Sequence, residues 1–199
     1  MGSTKEKIAN MALGHIGQAG DIANLAADRT PSGIQCNVFY DTALETTLEG
    51  YPWAEFTAYQ LLGLVEEDPS DEWGFAYRYP SDCVFARRIV NTAGRTDPNP
   101  PVFELGQDEQ GRLIYTDEPD ATLKYTKRIT DASRFSASFA MACSWNLAEL
   151  IAWPITRDKR TADRATAGAM AAMSKAKIRA ANERQDDKEI EAEHIRDRD

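Results

Sequence analysis

Only two histidines, His15 and His194, are available to a catalytic relay. His15 sits in a glycine-flanked stretch, and His194 lies in a densely charged run near the C-terminus. A Ser-His-Asp or Cys-His arrangement needs a base beside its nucleophile, so relay chemistry has little to draw on. His15 reads instead as a packed or capping side chain. Carboxylates are more abundant: Glu66, Glu67, Asp68, Asp71 and Glu72 cluster in one stretch and could hold a divalent cation or supply an acid/base pair. Their spacing matches no calcium loop, and a solvated loop is the simpler reading. Asp82 follows Pro80-Ser81, where a carboxylate serves as a turn or capping acceptor. Gly14, Gly17 and Gly20 recur at intervals that fit neither the dinucleotide fingerprint nor the P-loop, and they suit a helix end. Cys36, Cys83 and Cys143 are odd in number, far apart and mostly in apolar surroundings, so they read as buried free thiols. The expectation is a non-enzymatic chain with no catalytic residue, no metal site and no cofactor.

The aromatic residues Trp53, Phe56, Trp73, Phe75, Tyr77 and Tyr79 could form a stacking platform for sugars or bases. Such platforms interleave cations, and here only Arg78 does so. The net charge of -9, from 32 acidic and 23 basic residues, also opposes a grip on phosphates. Core and subunit-contact roles are therefore assigned to these rings. Arg87-Arg88 and Lys127-Arg128 lie at expected strand ends, where links to a neighbouring subunit would set register more than affinity. With 199 residues and 42% hydrophobic content, the chain suits one domain, or one domain with an appendage. No run approaches the roughly 18 apolar residues of a membrane span. The N-terminus leads into a helix rather than a signal-type apolar stretch, so the expectation is a soluble, unexported chain.

These residues need elements to position them. Ile8, Met11, Ala12, His15 and Ile16 recur at helical spacing after Ser3 and Thr4, which predicts a first helix over 4–16 with Gly17 as its stop. Thr30-Pro31-Ser32 reads as a cap with proline at the first helical position, opening a second helix over 31–49. From Trp53 to about Thr130, short β-branched and aromatic runs alternate with turn-rich stretches at 66–71 and 96–101. The clearest hairpin there joins 102–105 to 112–116 through a polar turn at 106–111, with a third strand over 121–128. A third helix over 133–153 carries Phe135, Phe139, Cys143 and Leu147, and Pro154 breaks or ends it. From Thr161 the chain is rich in helix formers. Ala162, Ala165, Ala169, Ala172, Met173 and Ala176 give a narrow small-residue stripe. The segment after Asn182 carries too few apolar residues to order itself without a partner.

Several motifs occur in a fixed order: Ala12-Leu13-Gly14-His15-Ile16-Gly17; the 31–49 helix running into Pro52-Trp53 and Phe56; then Tyr77, Pro80, Asp82 and Cys83. The hairpin closing on Leu113-Ile114-Tyr115-Thr116-Asp117, the strand Leu123-Lys124-Tyr125 and the helix through Phe135 and Phe139 follow. In this order they resemble the head-to-tail adaptor family of short-tailed bacteriophages, the tail tubular protein A family, over about 8–155. Trp53, Phe56, Tyr77, Pro80, Asp82 and Cys83 are the structural signature of that resemblance.

The expected fold is α+β but mainly α. It is an antiparallel helix bundle over 1–158 with a small antiparallel β insertion at about 53–130, followed by a long C-terminal helix and charged arm over 159–199. The resemblance implies a virion protein of the tail or neck, assembled in the host cytoplasm. Its partners would be the portal protein, the tail nozzle protein and neighbouring copies of itself in a ring of about twelve. DNA would pass through the ring without specific binding, the acidic wall repelling phosphates, and no membrane is involved. The arm is the expected portal contact, through Ile178, Arg184, Lys188, Ile190 and Ile195, and the hairpin tip Gln107, Asp108, Glu109 and Gln110 is the expected distal-tail contact. Two other classes fit less well. One is a tail-associated hydrolase of carbohydrate or peptidoglycan, which would need two acids in one cleft, and the other is a helical interaction protein unrelated to phage.

Overall fold

A computed structural model of the chain describes residues 3–90 and 101–183. Its helices begin where side chains can satisfy the first free backbone N–H groups. Helix α1 (Lys5–His15) starts at Thr4, whose Oγ1 accepts from the Lys7 N–H at 3.1 Å. It closes through Gly17, whose positive φ of 75° suits a residue without a Cβ. Helix α2 (Pro31–Glu49) starts at Thr30, which accepts from the Gly33 N–H at 3.0 Å, with proline in the first turn as expected. Helix α3 (Ala137–Thr156) is capped by Ser136, and α4 (Lys159–Asn182) by Asp158.

Pro154 does not end α3 where the sequence suggested. The helix runs two residues further and stops at Arg157, in the left-handed conformation at φ 50°. A proline this close to the C-terminus removes only one bond of the last turn, which the helix tolerates. Beyond it, α4 returns along α3 and buries Ala165, Ala169 and Ala176. The seam is close because a Cβ at Gly168 would sit 2.2 Å from the Trp145 ring.

The middle of the chain overturns the expectation of a mainly helical bundle with a small β insertion. Among the described residues seven strands form there: β1 (Thr57–Leu61), β2 (Leu64–Ser70), β3 (Trp73–Arg78), β4 (Cys83–Val90), β5 (Glu104–Asp108), β6 (Gly111–Thr116) and β7 (Thr122–Lys127). They build two antiparallel sheets, in the orders β1-β7-β4 and β2-β3-β6-β5, so the fold is mixed, with four helices and two sheets among the described residues. Two stretches misled the sequence reading. Glu66, Glu67 and Asp68 read as a solvated loop, yet they lie in the edge strand β2, which is exposed nearly throughout and needs no apolar alternation. The polar run 106–111 read as a turn, yet Gly106–Asp108 pair with Gly111–Leu113 and only Glu109 and Gln110 turn. The expected turn at 96–101 lies mostly outside the described residues.

Two cores result. The helical one gathers α1, α2, α3 and α4 around Trp53, Phe56, Phe135 and Phe139, whose rings meet edge-on at centroid distances of 4.6 to 5.7 Å. One polar seam inside it is satisfied: Asn146 Nδ2 donates to Thr47 Oγ1 at 2.8 Å, and Trp53 Nε1 donates to the Thr47 carbonyl at 2.8 Å. The buried Tyr40 hydroxyl, by contrast, meets no hydrogen-bond partner among the described residues. The second core lies among the strands and comprises Leu62, Tyr77, Tyr79, Ala86, Ile89, Ile114, Ala121, Leu123 and Tyr125.

Candidate interaction surfaces

The six signature residues divide between the cores. Trp53 and Phe56 are buried among the helices, and Tyr77 and Pro80 are buried in the sheets. Asp82 sits in the turn before β4, and its side chain reaches across to β7. Its carboxylate receives the Tyr125 hydroxyl at 2.9 Å and the Lys127 ammonium at 2.8 Å. Burial pushes this carboxyl up, but those two donors outweigh it and hold the group below the ordinary carboxylate range. Cys83 is half-buried, whereas Cys36 and Cys143 are buried, and all three are free thiols. Burial pushes Cys36 up to about 11 and Cys143 up to about 12, so neither offers a thiolate near neutral pH. His15 packs flat on Trp145 at 3.8 Å, with Nε2 3.0 Å from Ser144 Oγ, and burial lowers its pKa. It is a packed side chain, as its sequence context suggested.

The hairpin tip is less free than a polar turn would be. Asp108 forms a two-pronged bond with Arg78, at 2.8 Å on each nitrogen, and its Oδ1 also accepts the Gln110 N–H at 2.8 Å. The Arg78 guanidinium holds the Asp108 carboxyl down at about 2. Gln107 pairs with Arg112 within the β5–β6 ladder, so Glu109 and Gln110 alone form the projecting end. Behind this tip, Arg78, Tyr79, Pro80, Cys83 and Arg112 line an open cleft of about 630 Å³ between the two sheets. The Arg112 guanidinium lies over the Tyr79 ring at 4.6 Å. No local pattern marks this cleft, because its walls come from four separate strands.

On the helical side, a groove of about 470 Å³ runs between α3 and α4 over Met141, Trp145, Gly168 and Ala172, with Lys175 and Arg179 at its rim. A glycine within the alanine stripe was the only sequence signal for it. Of the expected portal-contact residues, Ile178 is on α4 and 59% exposed. Arg184, Lys188, Ile190 and Ile195 lie outside the described residues. Among the described residues, no three His, Cys, Asp or Glu side chains gather closely enough to hold a metal ion, and no helix is long and apolar enough to cross a membrane. What these surfaces offer chemically is apolar area and fixed charge, the means of binding. Compared with protein-family models and with curated proteins, the chain matches none.

Proposed function

We propose that this chain is a structural, non-enzymatic head-to-tail adaptor of a short-tailed phage virion, joining portal to tail nozzle as a ring of about twelve copies. One observation carries the reading. Each of the two cores leaves its own set of large apolar side chains in solvent: Ile34, Val38, Met170 and Ile178 on the helices, and Tyr59, Leu61, Phe85 and Val102 on the sheet portion. Exposed apolar area on two separately cored portions suits a part that must be gripped by different neighbours. The motif order of the sequence supports the same assignment.

In this reading the end of α4 faces the portal through Ile178, continued by Arg184, Lys188, Ile190 and Ile195. The projecting Glu109 and Gln110, seated by Gln107 and Asp108, face the nozzle. Mixing the purified chain with the portal ring of the same phage tests the reading by mass under native conditions. A portal-bound ring of defined high mass is expected. A chain that never associates with that portal at any concentration overturns it. Deleting 182–199 separates the arm from the rest: loading is expected to fall sharply while the thermal midpoint of the isolated chain barely moves.

A further inference from the structure

In the sheet β1-β7-β4, strand alternation sends Leu123, Tyr125, Ala86 and Ile89 into the sheet core. The opposite face is closed at one end, where Arg87 bonds Thr57 and the buried Thr126, and open at the other. Tyr59, Leu61 and Phe85 are 59%, 62% and 52% exposed on it, and the Lys124 ammonium lies 5.6 Å from the centre of the Tyr59 ring. The register places Arg88 directly opposite Lys124, after an irregularity at Arg87. Neither Lys124 nor Arg88 forms an ion pair with a described residue, and the described strand positions on this face include no carboxylate. In a chain with nine more acidic than basic residues, a cationic and apolar face without an acid is a departure that calls for a counterpart.

The counterpart is present on the other sheet. At the end of β3 that leaves the β2–β3 turn, Trp73 Nε1 donates to Glu104 and the Gly74 N–H donates to Asp117 at 2.9 Å. These bonds bring Glu104 and Asp117 to the end of the sheet where the β2–β3 turn carries the exposed Asp71 and Glu72. No lysine or arginine occurs between residues 64 and 77 or between 113 and 123 apart from their flanks. Thr116 Oγ1 donates to the Val102 carbonyl at 2.8 Å, which keeps the exposed Val102 beside those carboxylates.

We infer that the open face of β1-β7-β4 docks the acidic end of the β2-β3-β6-β5 sheet of a second copy of this chain, with Lys124 and Arg88 meeting Asp71, Glu72 and Asp117. Apolar contact among Tyr59, Phe85 and Val102 supplies burial, and the charges fix orientation. A single strand of nucleic acid is the competing occupant of an aromatic and cationic sheet face. It is disfavoured because two free cations neutralise few phosphates, and the rest of the chain repels them. The two patches differ, so the contact is head-to-tail and propagates into a closed ring or a filament. The inference adds a specific interface to the ring of the adaptor reading, and its test needs no portal, so each can fail alone.

Two charge-reversed full-length variants, K124E/R88E and E72K/D117K, test it by sedimentation. The wild-type chain is expected to self-associate at low ionic strength and to dissociate as salt rises. Each variant alone is expected to associate about tenfold or more weakly, since its two patches then carry like charge. An equimolar mixture is expected to recover association, because each patch of one variant again meets an opposite patch on the other. That recovery also establishes that both variants fold. A wild-type chain that stays monomeric at millimolar concentration overturns the proposal, as does a mixture no better than the variants alone. Salt-sensitive binding of poly(dT) by the wild-type chain, lost in K124E/R88E and without self-association, would assign the face to nucleic acid instead.

Discussion

The helical and sheet cores keep themselves together by different means. The helical core is closed mainly by hydrocarbon, with Trp53, Phe56, Phe135 and Phe139 packed edge-on and few polar contacts such as Asn146 to Thr47 inside it. The sheet core is smaller, and three of its nine members are tyrosines. Two of those hydroxyls reach partners at its margin: Tyr77 donates to the Glu118 carbonyl and Tyr125 to Asp82, each at 2.9 Å. A small core cannot gain as much from burial, so bonds at its edge matter more to its unique packing. The helical half should therefore respond most to lost volume, and the sheet half to lost polar partners and to pH.

The largest expected effect is from Phe139→Ala. Phe139 is fully buried and touches three other rings, so truncation should cost about 3–5 kcal/mol. Denaturation followed by helical circular dichroism measures this. Following the ring resonances of Tyr77 and Tyr125 in the same samples tests the comparison itself: if they fall with the helices to the same extent, the cores unfold as one cooperative unit. Next in size is Gly168→Ala. Glycine to alanine in a helix ordinarily stabilises by about 1 kcal/mol. Here the new Cβ meets the Trp145 ring, which is backed by His15 stacked at 3.8 Å, so a loss of about 1–3 kcal/mol is expected. A gain in the thermal midpoint would mean that α3 and α4 meet more loosely than this contact implies.

The sequence carried the helical half more completely than the sheets, for a physical reason. Thr4, Thr30-Pro31 and Gly17 act on neighbours within a few residues, so the first two helices were legible almost to the residue. The return of α4 along α3 was foreshadowed by its alanine stripe. Strands depend on partners far along the chain. An edge strand such as β2, with Glu66, Glu67 and Asp68 facing water, has no local pattern to distinguish it from a loop. The open face of β1-β7-β4 was hidden for the same reason, since Tyr59, Phe85, Arg88 and Lys124 are assembled from three strands. Asp82 was noticed, but its partners Tyr125 and Lys127 stand more than forty residues away.

A smaller change, Tyr125→Phe, sharpens the contrast from the sheet side. It keeps the buried ring and removes the bond to Asp82, and a loss of about 1 kcal/mol is expected. Asp82 should then titrate closer to an ordinary carboxylate, because one of the two donors that depress it is gone. A chemical-shift titration of the Asp82 carboxyl reads this directly. If its titration does not move, Lys127 alone sets it and the tyrosine contributes packing only.

The smallest and most local effect concerns Asp108. Its folded-state pKa is depressed to about 2 by the Arg78 guanidinium, with the Gln110 and Gly111 N–H groups lowering it further. For a carboxyl depressed on folding, the unfolded chain binds more protons in the interval between the two pKa values. The stabilisation is therefore full above the ordinary value near 3.8 and is lost as pH falls toward about 2. Because the pair is about one-third exposed, salt screens it, and the change should appear in the hairpin before it appears in global stability. Backbone amide shifts of Glu109, Gln110 and Gly111 are expected to titrate together near pH 2, and Arg78→Leu should move that midpoint up toward the ordinary range. If the tip already titrates at the ordinary value in the wild-type chain, the Arg78 fork does not hold it. Asp108 would then be as free as Glu109 to meet a partner.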